Sequence, residues 1–181
     1  QDYFEYVSQL LSSIDQSAVG AAVERLKSAR ANGDTVYIIG NGGSAATASH
    51  FATDLGKGAK RDGHPPLRVM SLTDNTPWSF ALGNDVGFDS VFSGQLDNFA
   101  CQGDVLIAIS ASGNSRNLIN AIELAKERGV TTVGITGFDG GALVSMVDIS
   151  MHVPSRAGFY GPIEDVHMSI AHAISDCLKI A

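Results

Sequence analysis

Apolar and polar positions change their period along this chain. Over residues 2–32, Tyr6, Leu10 and Leu11, then Val19, Ala22, Val23, Leu26 and Ala29, recur at helical spacing, and Ser13 or Asp15 is placed to cap the second segment. Asn32-Gly33-Asp34 closes that arm. Beyond it come short β-rich runs, each closed by glycine or a small polar residue and followed by a helical stretch. The pattern predicts strands at 35–40, 68–72, 105–110, 131–136 and 148–153, with helices near 44–56, 87–99, 115–128 and 163–180. Strand and helix alternate, so an α/β domain is expected, its parallel sheet covered by helices on both faces.

The 181 residues suit one domain, and with 44% hydrophobic and 17% charged residues they can build its core. No apolar run approaches the roughly 18 residues of a membrane helix. Twelve Lys and Arg face 19 Asp and Glu, a net charge of −7, so no broad basic face for nucleic acid or anionic lipid is expected. A small phosphorylated ligand is not excluded, because helix N-termini bind anions through backbone N–H groups. Cys101 and Cys177 lack metal spacing and read as two buried thiols in a reducing, cytoplasmic compartment. Gln1 to Leu11 is acidic and amphipathic, unlike a signal peptide. Residues 56–66, GKGAKRDGHPP, are basic and rich in Gly and Pro, fit for a lid or for an ordinary surface loop.

In an open parallel sheet, ligands sit beyond the C-terminal strand ends. Two loops there are suited to an anion. Gly40-Asn41-Gly42-Gly43-Ser44 joins a strand to a helix with glycines that permit close backbone approach, and Ser110-Ala111-Ser112-Gly113-Asn114-Ser115 offers serine hydroxyls around a glycine turn. Tight turns with serine caps would look similar singly, but two in one domain favour a ligand. Residues 40–45 also match the dinucleotide fingerprint G-x-G-x-x-A. Its acidic partner is displaced, since Asp74 lies some 30 residues on where about 20 is usual.

His50 and Asp54 stand four apart, about 40° from one another on one helix face, which suits metal ligands, an acid–base pair or a local hydrogen bond. The last helix carries Glu164, Asp165, His167 and His172 beside an apolar stripe of Ile163, Val166, Ile170, Ile174 and Cys177 or Leu178. Glu164 and His172 differ by about 80° around the axis and about 12 Å along it. Asp165 and His167 fit solvent-facing positions near a helix start, and His167 points about 140° away from His172.

Taken together, GNGGSAATASHF at 40–51, GND at 83–85, GDVLIAISASGNS at 103–115, TGFDGG at 136–141, VPS at 153–155 and IEDVH with His172 resemble the sugar isomerase (SIS) domain, within it the phosphoheptose isomerase group. The resemblance runs from about Val19 to Leu178. It implies a five-stranded, flavodoxin-like three-layer sandwich filling residues 1–181, with residues 1–32 as a helical arm packing in a homotetramer whose sites cross subunit boundaries. It also implies that a phosphosugar binds to Asn41, Gly42, Gly43, Ser44, Asn84, Asp85, Ser110, Ala111, Ser112, Ser115 and Glu164, the serine loop holding the phosphate. Zinc would sit on His50, Asp54, Glu164 and His172, with Asp54 and His172 as the catalytic acid–base groups.

Two of those four ligand positions depart from the family. Asp54 replaces a glutamate and Glu164 an amide, leaving a set competent for zinc and suited also to Mn or Fe. The implied reaction is aldose–ketose isomerisation of a sugar phosphate through an enediol, most simply of sedoheptulose 7-phosphate. The other reading is an SIS protein that binds a phosphosugar or a partner as a regulator without turning it over.

Overall fold

The computed structural model describes residues 2–180. Five parallel strands form one sheet: β1 (Thr35–Gly40), β2 (Arg68–Ser71), β3 (Val105–Ser110), β4 (Thr131–Thr136) and β5 (Ile149–His152), in the spatial order β2-β1-β3-β4-β5. The bounds of β1, β3 and β4 are those the apolar runs predict. Alternation along each strand then builds two cores. Val36, Ile38, Val105 and Ile107 face one layer, while Tyr37, Ile39, Leu106 and Ala108 face the other. The expected three-layer α/β sandwich is therefore the fold.

On the first face pack α2 (Gln16–Asn32), α3 (Gly43–Thr53) and α8 (Tyr160–Ile180); on the second, α5 (Ser93–Phe99) and α6 (Arg116–Glu127), with the short α7 (Leu143–Met146) below. The arm over 2–32 is two helices. α1 (Tyr3–Ser12) packs on α8, and α2 restarts where the Asp15 carboxylate accepts from the Ser17 and Ala18 amides. α2 ends at Gly33 in the left-handed conformation, φ 75°.

Three expectations need correction. The helix near 87–99 is a 3₁₀ turn at Phe88–Ser90 followed by α5, because Gly87 with φ 129° breaks the ladder ahead of it. An unforeseen helix, α4 (Thr76–Asp85), precedes it, capped by Asn75 with proline in its first turn. Both cysteines are exposed free thiols, and the stripe of α8 closes on Leu178 instead of Cys177.

His167 is the third correction. Far from facing solvent, its side chain is 1% exposed between α8 and β4, next to the Thr136 backbone and His152, with neither ring nitrogen in hydrogen-bond geometry. Burial drives its pKa down from 6.5 to about 4, His152 adding to the effect and the Thr136 backbone opposing it. Between these values the unfolded chain binds a proton that the fold excludes, so stability rises with pH through the window and falls on acidification. Fully developed, the difference is worth about 3 kcal/mol. In urea titrations the unfolding free energy of wild type should fall more steeply from pH 6.5 to pH 4.5 than that of His167→Leu; parallel profiles would refute the assignment.

Candidate active site

Chain connections leave β1 towards β2 on one side and leave β3 towards β4 on the other, so the crevice beyond β1 and β3 is the switch point of the sheet. Both loops singled out in the sequence open there. The β1 loop turns through Gly42, whose φ of 54° suits glycine, and a Cβ at Gly40 would strike the Ser44 backbone. The β3 loop turns through Gly113, φ 65°, where a Cβ would strike the Gly140 carbonyl.

Internal hydrogen bonds hold the serine loop in shape. Ser110 Oγ accepts from the Gly113 amide at 3.0 Å, Ser112 Oγ from the Asn114 amide at 3.4 Å, and Asn114 Oδ1 from the Ala142 amide at 3.0 Å. Across the crevice, Asn41 and Asn117 exchange two amide hydrogen bonds of 2.9 Å each, tying the glycine loop to α6. Asn117 is 1% exposed, so this pair sets the spacing of the loops from within. Sequence reasoning missed it; the signal was an amide two residues into a helix directly after the serine loop.

Between the loops lies a cavity of about 140 Å³ lined by Asn41, Ser44, Ile109, Ser110, Ala111, Ser112, Ser115, Tyr160 and Glu164. The helices α3 and α6 both start at it, and neither has a side-chain cap: Gly42 has none to offer and the Ser115 hydroxyl makes no capping bond. Two positive helix ends and several hydroxyls thus meet where an anion would sit. Gly42 and Gly43 sit exposed in the turn between Asn41 and Ser44, outside that lining.

The far wall is α8. Glu164 presses its carboxylate on Gly43, where a Cβ would collide with it, and the Tyr160 ring leans edge-on against Phe138 with centroids 5.1 Å apart. α1 clasps this turn. The Tyr3 hydroxyl donates to Asp165 at 2.7 Å, Tyr6 stacks on Phe159, the Arg156 amide donates to the Tyr6 hydroxyl at 2.7 Å, and the Arg156 guanidinium lies over both rings.

At the other end of α3 the helix widens into a π turn over Asp54–Gly58, a distortion frequent at functional sites. There His50 Nε2 stands 3.1 Å from His172 Nε2 and 3.2 Å from Asp54 Oδ2, and His172 Nε2 is 3.8 Å from that same oxygen. Among the described residues these three form the group whose donor atoms converge within 4.8 Å. The cluster opens into a hollow of about 390 Å³ bounded also by Gly58, Ser175, Asp176 and Lys179. Without an ion, one imidazole must donate at Nε2 while the other presents its lone pair. Around a tetrahedral ion with bonds of about 2.0–2.1 Å, ligand atoms lie about 3.3 Å apart, close to the separations found here. The two imidazoles and one carboxylate fit a divalent metal with an open position.

Glu164 does not join this group. The four ligands that the resemblance implies divide between two places, three at the cluster and Glu164 at the serine cavity. Asn84 and Asp85 also stand apart, exposed on α4, hydrogen-bonded to each other at 2.7 Å and beside a hollow of Phe80, Gly83, Phe88 and Val91.

A sheet of this order with paired anion-suited loops defines the class of α/β domains that bind phosphorylated small molecules at the switch point. The SIS domain family model matches residues 2–137. The phosphoheptose isomerase of Geobacter sulfurreducens is 39% identical over 94% of this chain and 90% of its own. Among solved structures, that of the phosphoheptose isomerase of Neisseria gonorrhoeae superposes with TM-score 0.88 at 35% identity, covering 97% of this chain and 92% of its own. The Francisella tularensis phosphoheptose isomerase gives TM-score 0.89 at 30% identity, over 99% and 95%. The chain belongs to the SIS domain family, in its phosphoheptose isomerase group.

The Asn41–Asn117 pair yields a direct test. Asn117→Ala removes both amide bonds and strands a half-buried Asn41, at an expected cost of about 1–3 kcal/mol in unfolding free energy. Chemical denaturation measures it, and a change below 0.5 kcal/mol would show that the loops are spaced by other contacts.

Proposed function

We propose that this protein is an aldose–ketose isomerase of sugar phosphates that converts sedoheptulose 7-phosphate to a heptose 7-phosphate through an enediol. The observation that carries the reading is the course of α3. One rigid helix begins at the serine cavity and ends at the cluster of His50, Asp54 and His172, so an anion site and a set of proton-transfer groups share one element. The relatives named phosphoheptose isomerase support the substrate.

The serine cavity takes the phosphate on Ser110, Ser112, Ser115 and Ser44 and on the backbone of residues 41–43 and 111. Isomerisation moves one proton between C1 and C2 and another between O1 and O2. Asp54 meets both imidazoles through Oδ2, which leaves Oδ1 to accept the C1 proton of the ketose and return it at C2. With its Nε2 free, His172 at the open rim carries the oxygen-bound proton between O1 and O2; with Nε2 given to an ion it would only position those oxygens, and solvent would carry that proton. His50, Asp54 and His172 would hold a divalent ion, zinc first and Mn or Fe next by donor type, which when bound polarises the sugar oxygens and stabilises the enediolate. Glu164, on the serine cavity, is a substrate contact.

The working form in this proposal is a cytoplasmic homotetramer of single SIS domains spanning 1–181, with residues 1–32 in the assembly. Exposed Phe80, Val86 and Phe88 around Asn84 and Asp85 support a site shared between copies, those two polar residues serving a neighbour's sugar.

Ser112→Ala should weaken sugar phosphate binding by about 1–3 kcal/mol, read by calorimetry, if it loses a charge-assisted hydrogen bond; unchanged affinity across Ser110, Ser112 and Ser115 variants would move the phosphate elsewhere. Asp54→Asn and His172→Gln should each abolish solvent deuterium incorporation into sedoheptulose 7-phosphate while retaining the wild-type circular dichroism. Chelation should lower the rate and zinc restore it. Wild type that binds sugar phosphates yet exchanges no proton, with Zn, Mn or Fe supplied, would be a binding protein and not an enzyme.

A further inference from the structure

Among the described residues, none that lines the serine cavity is Lys, Arg or His. Within one chain its attraction for an anion comes from hydroxyls and two helix starts, and its one charged wall residue is an acid. The Glu164 carboxylate lies against Gly43 at the first turn of α3, and the side chain is only partly exposed. No cation among the described residues lines the cavity to offset it, and Arg156, beside the same turn, is stacked on Tyr6 and Phe159. Asp165 adds a second acid behind it, held by Tyr3. The Tyr3 hydroxyl registers this field. Its pKa is raised, first by the hydrogen bond to Asp165, then by desolvation and the charges of Asp165 and Glu164.

We propose that Glu164 is a specificity-determining residue that weakens the grip of the serine cavity on the phosphate itself, so that tight binding requires the hydroxylated chain and carbonyl end of a long sugar phosphate. This rests on the serine cavity being the phosphate site, as in the function proposed above. A carboxylate a few ångströms from a phosphate dianion repels it at the low effective dielectric of a half-closed cavity whose own lining supplies no cation. Dipoles and hydroxyls still hold the anion, but less firmly than the geometry alone would give. A ligand that is little more than a phosphate, such as inorganic phosphate or a triose phosphate, then binds poorly. A seven-carbon ligand has further hydroxyls to contribute, and the protein discriminates by chain length without a steric wall.

The test is calorimetric titration of the protein at pH 8 with inorganic phosphate, with a triose phosphate and with sedoheptulose 7-phosphate. Relative to wild type, Glu164→Gln should bind inorganic phosphate and the triose phosphate at least fivefold more tightly. Its gain for the seven-carbon ligand should be smaller, narrowing the preference for chain length. The gain should shrink in high salt, as screening removes the repulsion. Glu164→Ser, which removes the charge with less volume, should act in the same direction. Equal or weaker phosphate binding by both Glu164 variants, alongside weaker binding by Ser112→Ala, would overturn the proposal and leave the phosphate site in place. Absence of binding by every phosphorylated ligand to wild type and variants alike would overturn the phosphate site and this proposal with it.

Discussion

The parallel pairing of β1 with β3 at the middle of the sheet is the constraint from which the ligand-binding end follows. Gly40 lies opposite Ile109, so the two strands finish level and their loops leave side by side. Because the next strands lie on opposite flanks, those loops diverge over the crevice instead of crossing it. The helices that follow then start at a common point. Were the register to slip by one residue, Val36 and Ile38 would exchange faces with Tyr37 and Ile39, so the two apolar cores hold the loops in step as firmly as the ladder does.

α3 links that crevice to the histidine cluster. Its eleven residues span about 16 Å, and Phe51 and Ala48, both fully buried, anchor it to the sheet. A rod packed in this way moves as a unit. The widening at Asp54 then explains how a side chain one methylene shorter than glutamate still meets two imidazoles, one from its own helix and one from α8.

Much of this was legible in the chain. Strands β1 and β3 are nearly continuous apolar runs that close on glycine or serine, and fully buried strands need no alternation to be recognised. The two loops announced themselves through glycines whose positive φ the fold requires, and the i, i+4 spacing brought His50 to Asp54. What the chain hid depends on contacts distant in sequence. Helical periodicity measures angle and rise, but the direction of a long side chain such as Glu164 is settled by what lies across from it, here the bare backbone of Gly43. His167 read as a surface residue because acids precede it, whereas the approach of β4 encloses it. Likewise α4 has little apolar periodicity and no buried residue, so only its Asn75 cap and early proline marked it.

The clasp of α1 on the Tyr160 turn makes that helix mechanically part of the binding cavity. Tyr3 and Tyr6 hold Asp165 and Arg156 on either side of the residues that form the far wall, and Gly161 leaves room for the Tyr3 ring to do so. Strain applied to α1 is therefore not absorbed locally: whatever displaces that helix also displaces the wall that faces the sugar.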